Sequence, residues 1–309
     1  MTRVRAATRG SPLALWQTRH VAALLRSAHA GVTVEEVAVS TVGDRRLDVP
    51  IHEMGGKGVF AKEVQQAVLD GRADIAVHSG KDLPALTPPG LVIAAVPERA
   101  DPRDVLVGAR LAELPVGAHV GTGSVRRRAQ LAWLRPDLRF GELRGNIATR
   151  LERAAGFDAI VMAKAALDRL EVEPPIVDPV PVDLMVPQVA QGALVVECRA
   201  DDHATLALLR AIEHAPTRTV VDAERAFLVE LGGDCDLPAG AHGVLRGTEV
   251  ELVGVLSAGG PAVLSAGGPA VLSAGGPAVL HRATTVGPPS VAGVELARAL
   301  RSLAGLGDA

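Results

Sequence analysis

Three times along this chain, an apolar run with strand character ends in a short polar turn and passes directly into a helical pattern. The turns are Arg9-Gly10-Ser11-Pro12, Gly121-Thr122-Gly123-Ser124 and Leu143-Arg144-Gly145-Asn146. Ser11, Ser124 and Asn146 are residue types that cap helix N-termini, and Pro12 suits a first helical position. A repeated strand-turn-helix unit restricts the chain to α/β architectures, with the turns at the carboxyl ends of strands and helices laid over the sheet. Arg126, Arg127 and Arg128 follow Ser124, and Arg144 and Arg150 flank Asn146. This places arginines in the first turn of two helices, where the dipole favours anions and disfavours cations. Such placement is unfavourable unless an anion binds. A ligand with several carboxylates or phosphates is expected.

Composition removes several alternatives. At 309 residues the chain exceeds one small core and predicts two or three domains. Its net charge of −3, 2% aromatic content and lack of Tyr argue against nucleic-acid binding, which needs a basic surface or stacking platforms. No apolar run approaches the roughly 18 residues that span a bilayer. The opening Met1-Thr-Arg-Val-Arg-Ala6 carries charge with no apolar stretch after it, so no secretory signal is read. The nine histidines show no metal-ligand spacing, and two distant cysteines make a zinc site or disulfide framework unexpected. A soluble cytosolic protein without a metal is the expectation.

Strands are predicted at Val4–Ala7, Val32–Val42, Ile75–Ser79 and Leu91–Val96. Helices are predicted from Pro12 to Ser27, with Leu13, Trp16 and Leu24 on one face, and from Val59 to Leu69, closed by Gly71. This rhythm predicts a mostly parallel sheet. The proline-punctuated segment Pro97–Asp104 reads as a hinge. A second α/β unit runs through Val105–Val107, His119–Thr122, Leu138–Leu143 and Asp158–Ala163. Pro174–Pro187 reads as a return crossover, and Ala193–Arg199 as a strand rejoining the first sheet. Helices over Asp202–His214, Thr217–Leu231 and from Val291 complete the pattern. The octad Leu256-Ser-Ala-Gly-Gly-Pro-Ala-Val263 recurs at Leu264 and Leu272. Three such copies are too short for a solenoid. With two removed, a β-hairpin with a Gly-Gly-Pro turn remains, so the octads read as an extended hairpin tip without catalytic function.

His78-Ser-Gly-Lys81-Asp82-Leu-Pro84 follows the apolar strand Ile75-Ala-Val77, placing Lys81 and Asp82 where open α/β sheets bind ligands. Asp82 reads either as a carboxylate facing a cationic intermediate or as half of a surface Lys-Asp turn. Lys57 in Gly55-Gly-Lys-Gly58 lacks P-loop spacing, and Gly121-Thr-Gly123 lacks the third glycine of a dinucleotide fingerprint. Cys198, within an apolar run, reads as buried and structural. Cys235 lies between two aspartates in a Gly- and Pro-flanked loop, suited to an attachment made once rather than to rapid thiolate turnover.

Together these segments resemble porphobilinogen deaminases (hydroxymethylbilane synthases). The matching runs are Ala7–Trp16, Gly55–Gly58, Asp74–Pro84, Asp101–Asp104, Val120–Arg127, Leu143–Asn146, Gln191–Ala193 and Gly233–Pro238. They span the chain apart from the octads. The family shows Ser-Ser where this chain has Gly123-Ser124, and Gly-Gly-Cys where it has Gly233-Asp234-Cys235.

The resemblance implies condensation of four porphobilinogen molecules, with loss of ammonia, onto a dipyrromethane primer, followed by hydrolytic release of hydroxymethylbilane. It implies a thioether from Cys235 to the dipyrromethane, whose carboxylates would be held by Lys81, Ser124, Arg126 and Arg127. Arg9, Ser11, Lys57, Arg144, Arg150 and Arg169 would bind substrate carboxylates. Asp82 would be catalytic, stabilising the azafulvenium cation. It also implies a cytoplasmic monomer of three domains, two of them α/β and like periplasmic binding proteins, joined by a hinge, the third a small α+β domain carrying the cysteine. The expected boundaries are residues 1–98 with 193–214, 99–192, and 215–309. From the residues alone, a hinged non-catalytic receptor for a polycarboxylate remains a rival, and a nucleotide-dependent transferase a weaker one.

Overall fold

The computed structural model describes residues 2–41, 61–232, 237–258 and 279–306. Lys57, Cys235 and the octad tip over 259–278 lie outside the described residues. The described chain forms two compact units, residues 1–100 with 192–219, and residues 101–191 with 220–309.

The first unit holds a five-stranded sheet in the order β2-β1-β3-β10-β4. These strands are β1 (Thr2–Arg9), β2 (Val32–Val39), β3 (Ile75–Ser79), β4 (Leu91–Ala95) and β10 (Leu194–Arg199). β1 runs parallel to β2 and β3, whereas β10 is antiparallel to β3 and β4. Alternation along the strands fills both faces. Val4, Ala6, Ile75, Val77, Leu194 and Val196 pack on one side with Val21 and Leu25 of α1 (Pro12–Ala28). Ala7, Ala76 and Leu91 pack on the other with Val64, Ala67 and Val68 of α2 (Lys62–Leu69). Each fully buried Val, Leu or Ile contributes roughly 1.5–3 kcal/mol of transfer free energy. On α1 the buried stripe is Gln17, Thr18, Val21, Ala22 and Leu25, one step round the helix from the expected Leu13, Trp16 and Leu24, which stay half-buried. After Cys198 and Arg199 the chain passes through α6 (His203–Leu209).

The second unit repeats the arrangement. Its five-stranded sheet has the order β7-β6-β8-β5-β9. The strands are β5 (Asp104–Val107), β6 (His119–Gly121), β7 (Arg139–Gly141), β8 (Ala159–Ala163) and β9 (Val177–Pro179). The helices α3 (Val125–Leu134), α4 (Ile147–Glu152) and α5 (Lys164–Arg169) follow its parallel strands. β6 is parallel to β7 and β8, and β5 is antiparallel to β8 and β9. In both sheets four of the five strands run the same way, as a mostly parallel sheet requires, and one strand is reversed. In each, the strand entered just after the chain crosses from the other unit lies fourth in order and runs against its neighbours. The expected crossover over Pro174–Pro187 contains β9, paired along β5.

The same unit carries a three-stranded antiparallel sheet of β11 (Ala239–Arg246), β12 (Glu249–Ala258) and β13 (Val279–Gly287). α7 (Ala215–Glu230) and α8 (Pro289–Leu303) accompany it. β12 and β13 stay in register to Ala258 opposite Val279. A Cβ at Gly293 would collide with Ala223 O, so α8 can lie against α7 only with glycine there. The expected architecture of two α/β sheets plus a small α+β part is the one observed.

Candidate active site

In the first unit, β1 and β3 are adjacent parallel strands, so their carboxyl ends deliver their turns side by side. Ser11 caps α1, its Oγ accepting Ala14 N–H at 3.3 Å. After β3, the chain makes a tight helical turn over Gly80–Asp82. Arg9, Ser11, Gln17, His78 and Asp82 line one cavity at this edge. Lys81 shares the turn with Asp82 but is not in the cavity wall. Two of these lining residues, Gln17 and His78, were not anticipated as functional. Gln17 is 4% exposed, and its Nε2 has no hydrogen-bond partner among the described residues. A buried amide donor left unmade is unfavourable by about 1–3 kcal/mol, and a ligand carboxylate would satisfy it. A polar residue on the core stripe of an amphipathic helix was the signal that could have identified it.

In the second unit, β6 and β7 are likewise parallel neighbours, with Gly121 opposite Gly141. Ser124 Oγ accepts Arg127 N–H at 3.4 Å, and Asn146 Oδ1 accepts Thr149 N–H at 2.9 Å, as both caps were expected to do. Glu142 joins the two turns. Its Oε1 accepts Arg128 Nη2 at 2.8 Å, and its Oε2 lies 3.8 Å from Arg144 Nε. α4 is only six residues long, and Arg150 falls in its last turn, not its first. Arg150 Nε instead reaches back to donate to Gly145 O at 2.8 Å, bracing the turn that carries Arg144.

Arg126 and Arg127 are in the first turn of α3 as expected, yet both are buried. They converge on Asp104, which had been read only as part of the hinge. Arg126 Nη2 donates to Asp104 Oδ2 at 2.7 Å; Arg127 Nε and Nη2 donate to Oδ1 at 3.0 and 2.7 Å. Burial acts to raise the Asp104 carboxyl, but the two guanidinium charges outweigh it and hold the group well below the usual carboxylate range. Burial lowers Arg126 from its ordinary value, with Asp104 opposing. The segment Val186–Gln191 completes this cluster: Arg126 Nη1 donates to Val186 O at 2.6 Å, and Nε to Gln188 Oε1 at 3.2 Å. Gly240 of β11 lies so close that a Cβ would be 2.9 Å from Arg126 Cδ and 2.5 Å from Pro187 O. Arg169, at the end of α5, is buried, and desolvation pulls it down to about 10.

Cys198 is buried, and burial pushes its thiol up to about 11, a structural rather than reactive setting. Among the described residues no group of three or more His, Cys, Asp or Glu could hold a metal ion, and no helix is long and apolar enough to cross a membrane.

Residues 4–207 match the dipyrromethane cofactor-binding domain of porphobilinogen deaminase, and residues 219–259 match that family's C-terminal domain. The porphobilinogen deaminase of Syntrophotalea carbinolica is 45% identical over 259 residues, covering 82% of each chain. That of Brevibacillus brevis is 47% identical, covering 84% of this chain and 85% of its own. That of Nitratidesulfovibrio vulgaris is 48% identical over 80% of each. A match of this extent, over turns rich in carboxylate-binding donors, shows that the chain belongs to the porphobilinogen deaminase family, transferases of tetrapyrrole synthesis with a dipyrromethane cofactor.

Proposed function

We propose that this chain is a hydroxymethylbilane synthase in which the first unit's cavity carries the chemistry. The carrying observation is the shared cavity of Arg9, Ser11 and Asp82. It sets a carboxylate beside donors suited to carboxylates at the carboxyl ends of adjacent strands. Arg9 and Ser11 orient porphobilinogen by its acetate or propionate. Asp82 keeps a negative charge beside the aminomethyl group, stabilises the positive charge that develops as ammonia departs, and accepts from the pyrrole N–H. Lys57, Arg144, Arg150 and Arg169 bind carboxylates of the lengthening chain.

Cys235 holds the dipyrromethane by a thioether, with Lys81, Ser124, Arg126 and Arg127 toward its carboxylates. When bound, that group supplies the pyrrole terminus on which the chain is built. We further propose three domains over 1–98 with 193–214, 99–192 and 215–309, in a cytoplasmic monomer that binds porphobilinogen and no nucleic acid. The test is intact mass paired with porphobilinogen consumption. An excess of one dipyrrole over the sequence mass, with turnover, is expected. Sequence mass alone with no consumption would favour a binding protein.

A further inference from the structure

Arg126 and Arg127 are consecutive on α3, and consecutive side chains on a helix diverge by roughly 100°. Both nevertheless end on one carboxylate. Asp104 is 0% exposed, and the two arginines are 2% and 6% exposed. Gln191 Nε2 donates to the same Asp104 Oδ1 and to Pro102 O, each at 2.8 Å, which ties the carboxylate to the backbone beside it. The charge count is uneven: two buried guanidinium groups face one carboxylate. One positive unit is left where water screens poorly. Of the five N–H groups on each guanidinium, three hydrogen bonds to described residues use three.

We propose that Asp104 is a positioning residue for the reaction. It gathers Arg126 and Arg127 onto a single carboxylate and leaves the cluster with one positive unit in excess, which a carboxylate of the bound pyrrole chain balances. A neutral residue at 104 would let two like charges separate; a second acid would remove the attraction for ligand. Asp104 acts through the arginines and touches no reacting atom. This rests on the functional reading above.

The test uses full-length chain produced in a host unable to make porphobilinogen, so that its intact mass equals the sequence. Porphobilinogen is then added, and the rate of gaining the dipyrrole adduct is read by mass, beside the melting temperature. Asp104→Asn, Arg127→Met and the double variant form a cycle. Asp104→Asn and Arg127→Met should each slow loading by about tenfold or more, the scale of a lost charged hydrogen bond. The double variant should load faster than the product of the two single losses predicts, because one of the two partners through which Asp104 acts is already gone. Multiplying losses in the double variant, or wild-type loading in Asp104→Asn, would overturn the proposal. If Asp104→Asn does not fold, Gln191→Leu keeps all three charges and frees the carboxylate. It should load severalfold more slowly, and unchanged loading would overturn the proposal equally. A parent chain that never acquires the adduct would instead sink the functional reading.

Discussion

His78 Nε2 lies 3.0 Å from Glu197 Oε2 inside the first unit, with side chains 5% and 0% exposed. Both oxygens of Glu197 also accept Gln65 Nε2, at 3.2 and 2.9 Å. The ring nitrogen meets the carboxylate away from an aligned hydrogen-bond direction. Glu197 sits on β10, the antiparallel strand fourth in its sheet; Asp104 begins β5, which holds that place in the other sheet. Each unit thus receives a wholly buried carboxylate from its reversed strand, next to a neighbour of the predicted site.

Removing the Glu197 carboxylate is expected to destabilise the fold. Glu197→Ala leaves His78 and Gln65 facing a void, and the buried Gln65 amide donor loses its acceptor, which costs about 1–3 kcal/mol beyond the cavity itself. Glu197→Gln keeps the volume and one acceptor and should cost less. Urea unfolding measures both, and a loss in Glu197→Ala below about 1 kcal/mol would show that the pair is not holding the interior together.

What the sequence disclosed follows what is local. Ser11, Ser124 and Asn146 cap helices as expected because capping depends on a few adjacent backbone groups. Asp82 could be placed because it lies in the short turn that directly follows the strand Ile75–Ser79. The reversed direction of β5 and β10 was not legible, since it is set by the chain's passage between units and not by alternation. Asp104 was read as hinge because its partners lie 22, 23 and 87 positions away. Arg126 and Arg127 looked like open anion clamps for the same reason.

Acid should expose the Asp104 cluster. Its folded carboxyl is held below the unfolded value, so the stability it contributes is present above about pH 4 and is lost as pH falls toward the folded value. The parent chain should lose stability steeply below that point. Asp104→Asn, if folded, should be less stable at neutral pH with a flatter acid slope. Equal slopes by denaturant titration at several pH values would refute the assignment.

Shortening the octads is expected to leave activity unchanged. Ala258 of β12 pairs with Val279 of β13, and the residues between them carry no ionisable side chain. Deleting Leu256–Val271 leaves one octad and a continuous strand sequence. For a flexible connection, the shorter loop would stabilise by about 1 kcal/mol. A lower melting temperature or slower turnover would show that the repeat contacts something the reaction needs.

Arg144 and Arg127 should respond differently to loss of charge. Arg144 is partly exposed, near an exposed Glu142, so Arg144→Leu should fold normally and stall the growing chain, giving altered populations of partial chains by mass. Arg127→Leu removes one of two cations on a buried carboxylate, and its effect should include stability as well as elongation. Wild-type populations of partial chains in Arg144→Leu would remove it from the site.

Anchoring and chemistry should separate cleanly between two residues. Cys235→Ser should give folded chain of sequence mass with little activity, since a serine hydroxyl does not form the thioether. Asp82→Asn keeps the volume and hydrogen bonding of a residue in the cavity wall but removes its charge. It should therefore carry the adduct or partial chains while turnover collapses, because charge stabilisation in place before ammonia leaves is worth several kcal/mol, about 3 or more. Asp82→Glu restores the charge at a shifted distance and should fall between. Intact mass and porphobilinogen consumption on the three variants read both roles at once. An active Asp82→Asn chain would remove the catalytic assignment, and an adduct surviving Cys235→Ser would move the anchor elsewhere.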